Sequence, residues 1–204
     1  VQDFLHAAIL IINIPSKNIS GFRRLADEIE ASEIDNVLFV SSTSVNRNVA
    51  KTINESDNDS FSQSPLLEIE GLLRGCSSIR TTIVRFGGLI GYSRHPGRFF
   101  GSGRVVKNPE APVNLIHRDD CIGIISRIVE QQVWGEVFNC CADTHPTKRE
   151  FYTRVVKLID GIVPEFAESD YSSGKLISNQ KVKRLLNYRF KHPDLMNIDF
   201  EKSP

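Results

Sequence analysis

Arg94, His95 and Arg98 follow the paired glycines Gly87 and Gly88 in a loop rich in Gly and Arg. Two fixed cations beside glycines suit a diphosphate clamp, because guanidinium forks grip phosphate oxygens bidentately; a solvated basic loop has the same make-up. The glycines either let backbone approach a ligand or supply a turn with positive φ. Ser41-Ser42-Thr43-Ser44 gathers hydroxyls where an apolar run ends, and a serine there orients a substrate hydroxyl or bonds local backbone. His117 and Asp120 read mainly as structural, the His bonding backbone and the Asp opening a helix, with substrate contact as the functional alternative. No third ligand stands at useful spacing from His117, so no metal site is expected. Tyr171 and Lys175 form a Tyr-x-x-x-Lys. An acid/base pair of that kind needs i, i+4 geometry on one helix face, and the intervening Ser172, Ser173 and Gly174 favour a surface loop instead. Cys76, Cys121, Cys140 and Cys141 show neither C-x-x-C nor framework spacing. The adjacent pair reads as buried strand rather than redox chemistry, and a reducing cytoplasm fits.

The elements that must position these residues alternate. Ala8 to Ile14 is a branched apolar run ending at Pro15, the pattern of a strand buried on both faces. Phe22, Leu25, Ala26 and Ile29 recur at helical spacing with charges between them. Asn36 to Val40 is a second buried strand, running into the serines. Arg47 to Ser64 is polar and predicts a loop. Ser64 before Pro65 predicts a helix start, with Leu66, Ile69, Leu72 and Leu73 inward. Thr81 to Phe86 is a third strand, ending at the paired glycines. Asp119 and Asp120 suit the first turn of a helix, where acidic groups meet the dipole favourably. Val137 to Cys141 is a short strand, and Thr147 with Glu150 predicts a capping box for a helix through Ile159. A short helix is expected around Gln180 to Leu186. Ile11, Ile12, Val37, Phe39, Ile83 and Val84 are the expected core.

Strands alternating with helices predict an α/β fold, a doubly wound and mainly parallel sheet. An irregular small lobe, from about 161 to 204 with the loop 92–116, would cover the strand ends. Ligands of open parallel sheets bind beyond the carboxyl ends of the strands. Three segments would converge there: Asn13-Ile14-Pro15, Ser41 to Val45, and Phe86 to Arg98.

With 204 residues, 40% hydrophobic and 25% charged, the chain can bury a sizeable core. Lys+Arg and Asp+Glu both number 25, a balance that argues against nucleic-acid or membrane-surface partners, which call for a basic excess. The longest apolar stretch, Phe4 to Ile14, is too short to span a bilayer. It also lacks the preceding Lys or Arg of a signal peptide. The chain opens on Val1 rather than Met, so upstream residues are expected.

Three stretches, Phe39-Val-Ser-Ser-Thr-Ser-Val45, Arg85-Phe-Gly-Gly-Leu-Ile-Gly91 and Asn114-Leu-Ile-His-Arg-Asp-Asp120, occur in that order. They resemble successive signatures of the extended and atypical short-chain dehydrogenase/reductases, in particular the NAD-dependent epimerase/dehydratase, or nucleoside-diphosphate-sugar epimerase, group. Gly174 to Asn179 and His192-Pro-Asp194 resemble the end of that group's small single-lobed members. The resemblance runs from about Ala8 to Asp194. It implies a Rossmann-like domain spanning 1–204, with NAD or NADP as cofactor and a nucleotide-sugar-like metabolite as ligand.

By the same resemblance Ser42 orients the substrate hydroxyl, and Ile14 and Pro15 lie under the cofactor ribose. Ser41, Phe86, Gly87 and Gly88 line the cofactor, while Arg94, Arg98 and His117 face the substrate. The family's Tyr acts as general acid/base and its Lys lowers the Tyr pKa; aligned on Glu70, those positions hold Ser62 and Leu66. Weak turnover is therefore expected, with a non-catalytic metabolite sensor or interaction scaffold as the alternative. No G-x-x-G-x-x-G occurs in the chain, and the Ala8–Ile14 strand matches the family's fourth. Three earlier strands, on the order of 60–80 residues, are thus expected before it. An open edge on that strand would be an association hazard, so it is expected to be covered by those residues, by a second copy in a homodimer, or by a rearranged segment of the chain.

Overall fold

The computed structural model describes residues 5–99, 105–168 and 174–200. Four strands form the main sheet in the order β1 (Ile9–Ile12), β2 (Asn36–Ser42), β4 (Arg80–Phe86), β7 (Val137–Cys140), and every pairing is parallel. Branched and aromatic residues fill β2 and β4, which run side by side from Asn36 opposite Arg80 to Ser42 opposite Phe86. Both strands are covered on both faces, as the near-continuous apolar runs require.

Helices α1 (Ile19–Glu30) and α2 (Pro65–Gly75) cover one face, burying Phe22, Ala26, Ile29, Ile69 and Leu73 against Leu10, Ile12, Val37, Phe39 and Ile83. Helix α3 (Arg118–Gln131) covers the other with Ile124 and Ile128 against Leu38, Val84 and Phe138. The sheet is therefore doubly wound. Local sequence sets the helix ends. Ser64 Oγ accepts from the Leu66 amide, with Pro65 at the first helical position. Thr147 and Glu150 close a capping box on α4 (Lys148–Lys157), which stops short of Ile159. Asn18 and His117 cap α1 and α3 through side-chain acceptors.

Ile11 departs from the expected core: it is 46% exposed. The reason is position in the sheet. β1 pairs only with β2 among the described strands, and the layer led by α3 reaches Ile9 but leaves Ile11 uncovered. Ile12, Val37, Phe39, Ile83 and Val84 are buried as expected.

The polar stretch after β2 is not wholly a loop, because β3 (Thr52–Ile53) pairs in parallel with β8 (Leu176–Ile177). β5 (Gly88–Ile90) pairs with β6 (Leu115–His117) beyond the main sheet. A third apolar cluster, centred on Ile90, Leu115, Phe151, Val155 and Leu195, fills the space there. Helix α5 (Gln180–Leu185) leads into the segment 188–192, which Asp120 ties down. That fully buried carboxylate accepts from the Tyr188 hydroxyl (3.0 Å) and from the Lys191 (2.6 Å) and His192 (3.1 Å) amides. No helix among the described residues is long and apolar enough to cross a membrane.

Candidate functional site

Parallel pairing brings the carboxyl ends of β1, β2 and β4 to one end of the sheet. Ile14 (51% exposed) and Pro15 form an open apolar ledge just past β1. Ser42, half-buried at the end of β2, turns its Oγ to the Ser44 amide at 3.1 Å and caps a short 3-10 turn over Thr43–Val45. Ser41 lies one residue earlier and faces the other way. Its hydroxyl donates to Glu70 Oε1 at 2.5 Å, inside the core. Glu70 in turn holds Arg85 through Nε at 3.1 Å and Nη2 at 2.6 Å. Ser41 is thus committed to a buried ion pair, and Phe86 places its ring in the core beside Leu38 and Ile116. Neither side chain faces the ledge.

Gly87 and Gly88 have a packing reason to be glycine. The Gly88 amide donates to Asn114 O at 2.8 Å, and a Cβ on Gly87 would stand 2.7 Å from that same oxygen. The chain crosses here too closely for a side chain, so β5 can leave β4 and join β6.

Lys175 and Asn114 meet beside the turn after Ser42, although sequence spacing keeps them apart. Lys175 Nζ donates to Thr43 O (2.8 Å) and Asn46 O (2.7 Å), the carbonyls flanking the Ser42 turn. Asn114 holds the lysine's strand in place, its amide donating to Lys175 O and accepting from the Ile177 amide, both at 2.8 Å. Burial pulls the Lys175 pKa below its ordinary value. Tyr171, its partner in the Tyr-x-x-x-Lys pattern, lies outside the described residues. Ser62, at the resemblance's Tyr position, donates to Val45 O at 2.9 Å, and Leu66 packs on the core.

The arginines after β5 separate. Arg94 Nε donates to Leu89 O at 2.8 Å and its guanidinium lies over the Phe99 ring. Arg98 lines a cavity of about 460 Å³ with Tyr92, His95, Arg154, Asp199 and Phe200. Within it Arg98 is joined by Arg154, whose Nη2 donates to Ile198 O while its Nη1 is buried without a partner. Burial first, and the Arg98 charge second, push the His95 pKa down. Arg154 carried no signal in the sequence, since it sits on an ordinary amphipathic helix.

His117 is almost fully buried. Its Nδ1 accepts from the Asp119 amide at 3.2 Å, and its ring lies against that of His192 with centroids 3.8 Å apart. Gly91, at φ +106°, makes room, for a Cβ there would run into the imidazole. The Tyr92 hydroxyl donates to Asp119, and Arg118 stacks on the Tyr92 ring. All four cysteines are buried and unpaired, and burial pushes the Cys121 thiol up to about 12.

No protein-family model matches the chain. Protein YeeZ of Escherichia coli K12 is 30% identical over 213 residues, an alignment that covers 98% of this chain and 77% of YeeZ. The chain belongs to the YeeZ family. Among solved structures, a putative NAD-dependent epimerase/dehydratase from Methylobacillus flagellatus superposes with a TM-score of 0.71 at 22% identity, over 92% of this chain and 72% of the other. UDP-glucuronic acid 4-epimerase from Bacillus cereus gives 0.75 at 16% identity, over 96% and 75%. At such identities the likeness establishes the fold. It is the Rossmann-like fold of the epimerase/dehydratase group, as the three sequence signatures imply.

Proposed function

We propose that this protein binds NAD or NADP and a nucleotide sugar or similar metabolite at the carboxyl ends of its parallel strands, and turns them over weakly. The observation that carries the reading is the shared end of β1, β2 and β4, where an exposed apolar ledge stands beside the Ser42 turn in a fold of the epimerase/dehydratase group. The Bacillus cereus epimerase with that fold was solved with NAD and a fluorinated UDP-glucuronic acid.

The residues fit the nicotinamide half of a dinucleotide. Ile14 and Pro15 offer an apolar floor for the ribose, the backbone at Gly87 and Gly88 borders the nicotinamide end, and Ser42 holds a hydroxyl at its rim. The pyrophosphate half finds no G-x-x-G-x-x-G in the chain. A bound nicotinamide supplies hydride transfer. The chain's own part is to orient the reactants, with Ser42 toward the substrate hydroxyl. Arg98 and, with Arg154 beside it, the basic cavity take the anionic end of the ligand; about 460 Å³ is within the range of small-ligand pockets. Arg94 and His117 remain at the border of this region, the first exposed and the second reaching the ligand only through its neighbours.

Ser62 and Leu66 cannot replace the dyad, since leucine has no charge and a serine hydroxyl is a far poorer acid than a phenol. The same absence supports a second reading, a metabolite sensor or scaffold without turnover. Lys175 Nζ commits two of its three donors to the Thr43 and Asn46 carbonyls, so it takes a holding role and not the role of the missing dyad. Titrating the full chain with NADH and NADPH tests the proposal. Binding weakened about tenfold by Ile14→Asp, a change of about 1.4 kcal/mol, supports it; failure of both nucleotides to bind overturns it.

A further inference from the structure

His117, Asp119 and His192 bring three ligand atoms within 4.8 Å of one another. The fold builds the arrangement in two steps. β6 delivers His117 to the start of α3, which carries Asp119 in its first turn. Asp120 then holds the His192 amide, so the second imidazole is placed over the first. The sequence offered no third ligand near His117; the fold supplies one from beyond α5.

The Asp119 Oδ2 contacts are longer than charge-assisted hydrogen bonds. Asp119 Oδ2 lies 3.4 Å from His117 Nδ1 and 3.3 Å from His192 Nε2. Charge-assisted hydrogen bonds close to about 2.7–2.9 Å. A tetrahedral metal with bonds of about 2.0–2.2 Å instead holds neighbouring ligand atoms about 3.3–3.6 Å apart, and both measured spacings match that edge. The unpartnered His117 Nε2 faces Gly91 on the other side of the ring and is not one of these three atoms. Asp119 and His192 are each about a quarter exposed, at 28% and 27%, which leaves a path for entry. The Tyr92 hydroxyl, donating to the other carboxylate oxygen of Asp119, is the kind of supporting contact that orients metal ligands.

We propose that His117 Nδ1, Asp119 Oδ2 and His192 Nε2 bind a divalent first-row metal, zinc by class, with one position left open. Two imidazoles and one carboxylate favour zinc or cobalt over magnesium and calcium, which take oxygen ligands. Binding displaces the long cap bond between His117 Nδ1 and the Asp119 amide.

The test uses the full chain stripped with a chelator, then titrated with Zn²⁺ by calorimetry and with Co²⁺ by visible absorbance. One equivalent of Co²⁺ with a tetrahedral ligand-field spectrum is expected. His192→Ala, checked for folding by circular dichroism, abolishes that spectrum. Tyr92→Phe weakens metal binding about 10–100-fold, the usual effect of losing a supporting partner. His6→Ala, which removes an exposed His–Glu33 pair of the same 3.4 Å spacing, changes nothing. A parent chain without the tetrahedral spectrum, or a folded His192→Ala chain that binds as the parent does, overturns the proposal. No nicotinamide is present in the assay, so its outcome is independent of the proposed cofactor.

Discussion

Glu70 and Arg85 meet at 2.6 Å beneath the sheet and are each 3% exposed, whereas His117, Asp119 and His192 meet at 3.3–3.4 Å with the last two open to solvent. Both centres combine carboxylate with base. In the first, a bidentate fork and the Ser41 hydroxyl satisfy the carboxylate, and the Phe61 ring lies over the guanidinium. In the second, the wider spacing and the exposure of Asp119 and His192 leave room for a ligand. The difference teaches that a closed, bidentate pair in the core serves architecture, while a cluster of several ligand atoms open on one side can admit a ligand.

Removing Glu70 gives the sharpest contrast. Glu70→Ala strands a buried guanidinium and is expected to cost about 3–5 kcal/mol in urea unfolding, while Asp119→Asn costs under about 1 kcal/mol because Asp119 and His192 are themselves part-exposed. Similar losses at the two sites would erase the distinction. Asp120 belongs with Glu70 despite its place beside the metal cluster. Asp120→Asn is expected to cost about 1.5–3 kcal/mol, with faster amide exchange at Lys191 and His192. Next comes Thr147→Ala, which removes one half of the α4 capping box and should lower stability by about 1 kcal/mol.

The smallest effect is on pH. Burial holds the His95 and His145 pKa values below the ordinary 6.5. The unfolded chain therefore binds more protons between the folded value and 6.5, so stability rises with pH across that window. It is complete above about 6.5 and is lost as pH falls through the folded values. The lowered carboxylates, Asp119 and Glu150 among them, act only below their ordinary 3.8 and 4.5. Exchange at the lobe should rise as pH falls below about 6.5 before β2 and β4 respond; simultaneous loss would contradict the assignment to these histidines.

Much of this frame was legible in the sequence because its signals are local. Branched runs announced β2 and β4, and Ser64-Pro65 and Thr147 with Glu150 announced helix starts. Ile11 was misread because exposure depends on which layer covers an edge strand, a tertiary fact that a run of isoleucines cannot carry. The strand-end segments were legible through topology, yet Ser41 and Ser42 read alike in sequence and part company only in the pleat. Arg154, Lys175 and His192 escaped notice as partners because each meets its counterpart across long stretches of chain. No local spacing records such meetings.

The proposed function joins nicotinamide binding at the strand ends to weak or absent turnover. One assay tests both halves: nicotinamide fluorescence for binding and nicotinamide absorbance for turnover, on the full chain with a panel of UDP- and dTDP-sugars. Saturable binding with little or no change in absorbance is the predicted result. Robust turnover that collapses in Lys175→Ala would contradict the account, because it would show that the lysine held by Thr43 and Asn46 restores the missing chemistry.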